Sequence, residues 1–299
     1  MEPAGAFAGS RYAEALREVL TGLLLRRAGE GEPASRARVV LVTSALPDEG
    51  KSTLTLSLAR AAAAEGLRVM VIDADLRKPA LHELVGLKPA AGLVEVLRRE
   101  VPLADALAID PRLPLRLLPG SKRLSQPTRL LGPDGIGALL TALRPSFDLI
   151  LVDSAPLVAV VDAKLLAKLA DAVLFVVRYG STRRDFCDSA LRGLRESGAT
   201  VAGAVLSQVD LRRHARSGAG DAGFAYAEAR RALRGSVYII DMLAVAPSSG
   251  YHLSALDQGS AQTVRYGVAE NLVGIYAALA GGYLWTRPRT HASVHALPG

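Results

Sequence analysis

The 299-residue sequence is short of several things, and each shortage excludes a class of protein. A single cysteine, Cys187, rules out an intramolecular disulfide and any cysteine-built zinc or iron–sulfur centre; it reads as a small core residue on a helix. Aromatic residues make up 5% of the chain, too few for base-stacking platforms, so no nucleic-acid partner is expected. Long apolar runs are missing too. Leu23–Leu25 is far too short for a secretory segment, and Leu272–Trp285 holds fourteen residues with three glycines, against roughly 20 for a bilayer span. A cytoplasmic protein is expected.

What is present makes a globular protein. Half the residues are apolar and 22% are charged, enough for a sizeable core. Lysine and arginine number 36 against 29 acids, a net charge of +7, and thirty of the basic residues are arginine. They are scattered along the chain. The basic cluster Arg212-Arg213-His214-Arg216 reads as a solvated linker.

The periodicity predicts an amphipathic helix over Ser10–Arg27, with Tyr12, Leu16, Val19, Leu20, Leu23 and Leu24 at three- and four-residue spacing. Gly29, Gly31 and Pro33 break it. Apolar runs then predict strands at Arg38–Thr43, Leu67–Asp73, Leu115–Leu118, Phe147–Asp153, Ala172–Arg178 and Val201–Leu206. Helical patterns fall between them at Ser52–Glu65, Leu130–Leu143, Val161–Leu169 and Arg183–Ser197. Strands without polar alternation, separated by helices, imply a mostly parallel sheet covered on both faces. The expected fold class is α/β, with residues 1–34 as helix and linker, 35–211 as the main α/β domain, and 212–299 as linker and tail. In the tail the rhythm stops: the last 64 residues hold six charged residues, and six of the eight tyrosines follow residue 225.

Three motifs carry chemistry. Ala45-Leu-Pro-Asp-Glu-Gly50-Lys51-Ser52-Thr53 lies between a strand and a helix and has the P-loop form, with Ala45 where the first glycine is usual. Backbone N–H groups and the helix N-terminus converge there on phosphate oxygens. Gly50 allows close approach, Lys51 brings charge to the β- and γ-phosphates, and the Ser52 hydroxyl suits Mg²⁺. Pro47, Glu49, Gly50, Lys51, Ser52 and Thr53 are the expected nucleotide-binding residues. Next, Val71-Ile-Asp73-Ala-Asp75-Leu-Arg77-Lys-Pro79 puts two carboxylates at the carboxyl end of a buried strand, where open α/β sheets bind ligands. Finally, Asp148-Leu-Ile-Leu-Val-Asp153 is an apolar strand ending in an acid, the Walker B form.

These segments, with Gly92-Leu-Val-Glu-Val-Leu97, Leu118-Pro-Gly120, Asp162-Ala163 and Val176–Thr182, resemble the bacterial tyrosine kinases of polysaccharide export. The resemblance runs from about Tyr12 to Asp210, in order. It implies a P-loop fold like that of the MinD/ParA ATPases, with a third Walker element, A′, used to phosphorylate protein. It further implies ATP as substrate and Mg²⁺ as cofactor, with Lys51 on the phosphates. Asp73 would accept the tyrosine proton, with Lys51 and Asp75 beside it as catalytic groups, and Ser52, Asp75 and Asp153 would hold the metal. The absence of a second, N-terminal lysine in Ser44-Ala45-Leu46 separates the loop from the MinD/ParA form.

The sequence departs from the family at named places. The family's Glu-x-x-Arg-x-x-Arg oligomer motif is present as Glu14 and Arg17, with Leu20 at its last position. Ser207 stands after Leu206 where the family has an asparagine that helps bind adenine, and the resemblance makes it the expected nucleotide-binding residue there. Tail tyrosines are clustered in the family; here Tyr226, Tyr238, Tyr251, Tyr266, Tyr276 and Tyr283 are about ten residues apart and are the expected phosphate acceptors. The function implied is an ATP-dependent tyrosine autokinase regulating exopolysaccharide or capsule synthesis and export. Its implied partners are a transmembrane activator of the polysaccharide copolymerase type, further copies of itself and a phosphotyrosine phosphatase, with recruitment to the inner face of the membrane. A MinD/ParA-like ATPase and a nucleotide-binding scaffold without kinase activity are the alternatives.

Overall fold

The computed structural model describes residues 11–25, 37–121, 123–158 and 160–209. The first helix, α1, covers Arg11–Leu25. Strand β1 (Arg38–Ser44) runs into the P-loop and helix α2 (Lys51–Ala64), followed by β2 (Val69–Asp73). Short elements come next: α3 (Leu81–Val85), α4 (Leu93–Leu97), α5 (Leu103–Ala106), β3 (Ala108–Ile109) and β4 (Arg116–Leu118). The remainder alternates as α6 (Ala138–Leu143), β5 (Leu149–Asp153), α7 (Asp162–Leu169), β6 (Ala172–Arg178), α8 (Arg184–Glu196) and β7 (Val201–Ser207).

The strands form one sheet in the order β3-β4-β2-β5-β1-β6-β7. Every neighbouring pair is parallel except β3 with β4 at the edge. The expected mostly parallel α/β fold is therefore present. Alternate residues of each strand supply two cores. Val39, Leu41, Met70, Ile72, Ile150, Val152, Val173 and Phe175 pack beneath α4, α6, α7 and α8. Val40, Val42, Val69, Val71, Leu149, Leu151 and Leu174 pack beneath α1 and α2. Cys187 lies buried in the first of these, as its helical placement led us to expect.

The predicted helix over Leu130–Leu143 needs correction. Residues Pro133–Gly137 form a single wide turn, and regular helix begins only at Ala138. Pro133 has no amide hydrogen to donate, and three glycines in six residues weaken helix propensity. The chain also folds tightly onto itself here: a Cβ on Gly135 would lie 2.1 Å from the Leu130 carbonyl oxygen.

Helix α1 packs its Leu16, Val19, Leu20 and Leu23 into the second core. Leu20 is 4% exposed, so the residue in the last oligomer-motif position faces this chain's own body. Leu20→Ala should lower unfolding stability by about 2–5 kcal/mol, the usual range for deleting a buried leucine. A denaturant midpoint within error of wild type would contradict this packing.

Candidate active site

The sheet's carboxyl edge gathers the three motifs because β1, β2 and β5 are adjacent and parallel. Asp73 and Asp153 sit opposite each other at the ends of β2 and β5. The P-loop leaves β1 between them and β6. Gly50 has φ 85° at the start of α2, a left-handed conformation that favours glycine. Asp48 adopts φ 60°, which a short polar side chain tolerates. Lys51 Nζ lies 3.3 Å from Asp75 Oδ2, joining the P-loop to the A′ turn. The half-buried Ser52 and exposed Thr53 open the first turn of α2; Pro47 is exposed at the loop's apex.

Asp73 is fully buried. Its Oδ2 accepts hydrogen bonds from the backbone N–H groups of Ala80 and Leu81, both at 3.0 Å, while Oδ1 has no partner. Burial first, and the neighbouring Asp153 second, push it up to about 8 from its ordinary 3.8. Asp153 is equally buried, and neither of its oxygens makes a well-formed hydrogen bond. Burial pushes it up to about 6, while the Lys51 charge and the nearby Ser52 hydroxyl pull the other way.

That orphaned carboxylate fits a divalent cation. Among the described residues no group of three His, Cys, Asp or Glu side chains could by itself hold a metal. Magnesium does not need one, since it takes one or two carboxylates together with phosphate oxygens and water. Asp153, Ser52 and Asp75 are the residues that would hold it.

Two expected ligands have their side chains committed elsewhere. Glu49 is 1% exposed and turns inward. Its carboxylate accepts hydrogen bonds from Leu46 N–H (2.6 Å), Arg178 N–H (3.2 Å) and the Thr182 hydroxyl. Ser207, buried at the end of β7, donates from Oγ to the Glu49 carbonyl oxygen at 2.5 Å. Gln208 Nε2 donates to the Asp48 carbonyl oxygen at 3.0 Å. Both side chains therefore clamp the P-loop from behind, leaving the Glu49 backbone N–H as the part of that residue suited to a phosphate. Sequence reasoning missed this clamp because its partners are about 130 to 160 residues away. It singled out Asp162 only as part of the Asp162-Ala163 segment and missed its partner: Arg77 Nε donates to Asp162 Oδ2 at 2.6 Å. The tyrosines expected as acceptors lie outside the described residues.

Residues 40–222 match the model of the CobQ/CobB/MinD/ParA nucleotide binding domain. Tyrosine-protein kinase YwqD of Bacillus subtilis is 31% identical over 179 residues, which cover 60% of this chain and 76% of that protein. The chain belongs to this nucleotide-binding family, in its tyrosine-kinase branch. The succinoglycan biosynthesis transport protein ExoP of Rhizobium meliloti is 38% identical over 180 residues, or 59% of this chain. The chain spans 23% of ExoP's length. Among solved structures, the kinase domain of the Escherichia coli tyrosine kinase ETK superposes with a TM-score of 0.60 at 27% identity, covering 65% of this chain and 74% of that one.

The raised Asp73 and Asp153 make this kinase-branch domain sensitive to pH when no metal is bound. The unfolded chain loses its Asp73 proton near pH 4, whereas the folded one keeps it until about 8. Across that window the unfolded state binds fewer protons, so stability falls as pH rises. Asp73→Asn should therefore stabilise the metal-free protein more at pH 8 than at pH 5. Denaturant melts in chelator at the two pH values would show it, and an equal effect at both would contradict the buried, protonated Asp73.

Proposed function

We propose that this chain is an ATP-dependent protein tyrosine kinase that phosphorylates further copies of itself and regulates the synthesis and export of an extracellular polysaccharide. The observation that carries the reading is Asp73, a buried carboxylate with one unpartnered oxygen, standing beside Asp153 and one turn from the Lys51–Asp75 pair. A P-loop serves any nucleotide hydrolase; a second strand-end acid with a free oxygen supplies a place for a substrate proton. The names of the relatives, a tyrosine-protein kinase and a succinoglycan biosynthesis transport protein, support the substrate and the setting.

The chemistry follows from these groups. Lys51 and the loop N–H groups bind and orient the β- and γ-phosphates. A tyrosine hydroxyl, with an ordinary pKa near ~10, is a weak nucleophile at neutral pH. Asp73 Oδ1 is the acceptor for its proton as the phenolic oxygen bonds to the γ-phosphorus and the bond to the bridging oxygen of ADP breaks. When bound, Mg²⁺ neutralises phosphate charge and favours the ionised forms of the carboxylates around it. Asp73 is then free to act as a base, while Asp75, hydrogen-bonded to Lys78 N–H at 3.0 Å, keeps its other oxygen toward Lys51.

We further propose that the acceptors are Tyr226, Tyr238, Tyr251, Tyr266, Tyr276 and Tyr283, reached in trans across the basic stretch 212–223. Each phosphate adds about −1.5 to −2 charges to a segment with few counter-charges, which drives it from a neighbour's anionic site. Activation by a transmembrane partner, reversal by a phosphotyrosine phosphatase, and work at the inner face of the membrane belong to the same reading. No helix among the described residues is long and apolar enough to cross a membrane.

Purified protein with Mg-ATP, with and without a membrane activator fragment, tests this by mass spectrometry of phosphotyrosine. Lys51→Met should weaken nucleotide affinity about 100-fold or more, since it removes the loop's charge on the phosphates. Asp73→Asn should bind nucleotide nearly as wild type yet transfer phosphate about 100-fold more slowly or worse. A chain ending at Ala222 should bind nucleotide and carry little phosphotyrosine. ATP hydrolysis with no phosphotyrosine under any condition would overturn the kinase reading in favour of a MinD/ParA-like ATPase.

A further inference from the structure

The turn that follows β2 makes three ion pairs: Lys51–Asp75 and Asp48–Lys78 with the P-loop, and Arg77–Asp162 with the start of α7. After β2 the chain turns through Ala74–Pro79, and Lys78 N–H donates to both the backbone oxygen and Oδ1 of Asp75. Ala80 and Leu81 then donate to Asp73. Arg77 projects from the middle of this turn. Its Nε donates to Asp162 Oδ2 at 2.6 Å, and its Nη1 to the Ser125 carbonyl oxygen at 3.0 Å. Asp162, at the first position of α7, is 2% exposed, and its other oxygen accepts from Thr128 Oγ1 at 3.3 Å. A second tie runs alongside, from Leu124 N–H to the Leu76 carbonyl oxygen at 2.7 Å.

We propose that Asp162 is a positioning residue: through Arg77 it fixes the turn bearing Asp73 and Asp75, and it links that turn to the segment following β5. The same segment touches the P-loop, since Leu157 N–H donates to the Ser44 oxygen at 2.8 Å and Val158 N–H to the Ala45 oxygen at 3.2 Å. Movement of the chain between Asp153 and Asp162 is thereby transmitted to the proposed base as well as to the phosphate loop. The charge of Asp162 matters because a buried carboxylate paired with a planar guanidinium fixes orientation, which a neutral amide does less well. Its removal leaves Arg77 to swing toward solvent, where 37% of its side chain already lies. The effect on catalysis rests on the kinase reading; the effect on the turn does not.

Two measurements on the full chain separate these. In amide hydrogen exchange of the metal-free protein, Asp162→Asn should speed Lys78, Ala80 and Leu81 about tenfold or more while leaving Leu54, in α2, unchanged. Unchanged exchange in the turn, or a uniform rise across the sheet, overturns the proposal. In phosphotransfer, Asp162→Asn should lower kcat about tenfold or more with KM for Mg-ATP within about threefold. Combining it with Arg77→Ala should slow the reaction no further than Arg77→Ala alone. Additive losses, or a KM that rises in step with the fall in kcat, also overturn it. Should Asp162→Asn fail to fold, Arg77→Lys replaces it in both measurements: it keeps the charge but loses the fork that reaches Ser125, and exchange of the turn should rise to a lesser degree. A wild-type protein that transfers no phosphate sinks the kinase reading alone and leaves exchange to decide the role of Asp162.

Discussion

Two carboxylates buried side by side at the ends of parallel strands are the constraint around which this domain is arranged. Register places Asp73 beside Asp153, and the apolar sheet removes both from water. Neither burial nor mutual repulsion favours their ionised forms; the Ala80 and Leu81 N–H groups at Asp73, and Lys51 and Ser52 at Asp153, compensate only in part. A core optimised for stability alone would replace such a pair with apolar residues. Its retention makes sense if cation and nucleotide supply the missing positive charge and hydrogen-bond partners. Binding and folding are then linked, because any ligand that favours the ionised pair in the folded state also stabilises that state.

The other buried acids behave differently, and the contrast sorts structure from chemistry. Glu49 accepts from three donors. Asp162 accepts from Arg77 Nε and from the Thr128 hydroxyl. Asp110 accepts from Arg60 and from two backbone amides. Each of these is satisfied within the fold and braces it. Asp73 and Asp153 alone combine complete burial with oxygens lacking partners among the buried aspartates described. A satisfied carboxylate has little free energy to gain from a ligand, whereas an unsatisfied one gains the hydrogen bond or metal contact that water would otherwise provide.

Much of this was legible in the sequence because parallel strands buried on both faces appear as uninterrupted apolar runs, and each of the six predicted strands is present. The P-loop and the acids at Asp73, Asp75 and Asp153 were legible because strand-end position and residue type together restrict what they do. Helix boundaries near Pro133 were not, since apolar spacing at 130–143 looks helical whichever way the glycines turn. The short α3–α5 and the two-residue β3 carry too few residues for any periodicity. The inward turn of the Glu49 side chain was not legible, for a physical reason. In Pro-Asp-Glu-Gly an acid looks exposed, and only the return of β6 and β7 to the same sheet edge supplies the donors that draw it inward.

The same return explains what Ser207 does. Asparagine carries both a donor and an acceptor on its amide, so it can read a base edge while still touching the chain. A serine hydroxyl is shorter and has one proton, and at position 207 that proton goes to the Glu49 carbonyl oxygen. Gln208, whose φ of 54° turns the chain sharply after β7, adds a second bond to the loop at Asp48. The end of β7 therefore holds the P-loop's backbone conformation rather than presenting a base-reading side chain at this residue. Two strands behind the loop hold the phosphate cradle, the Arg77–Asp162 pair and the Leu124–Leu76 bond hold the A′ turn, and the segment after β5 touches both. Lys51 and Asp75 are where those two rigid parts meet, at the point where the phosphate chain would enter.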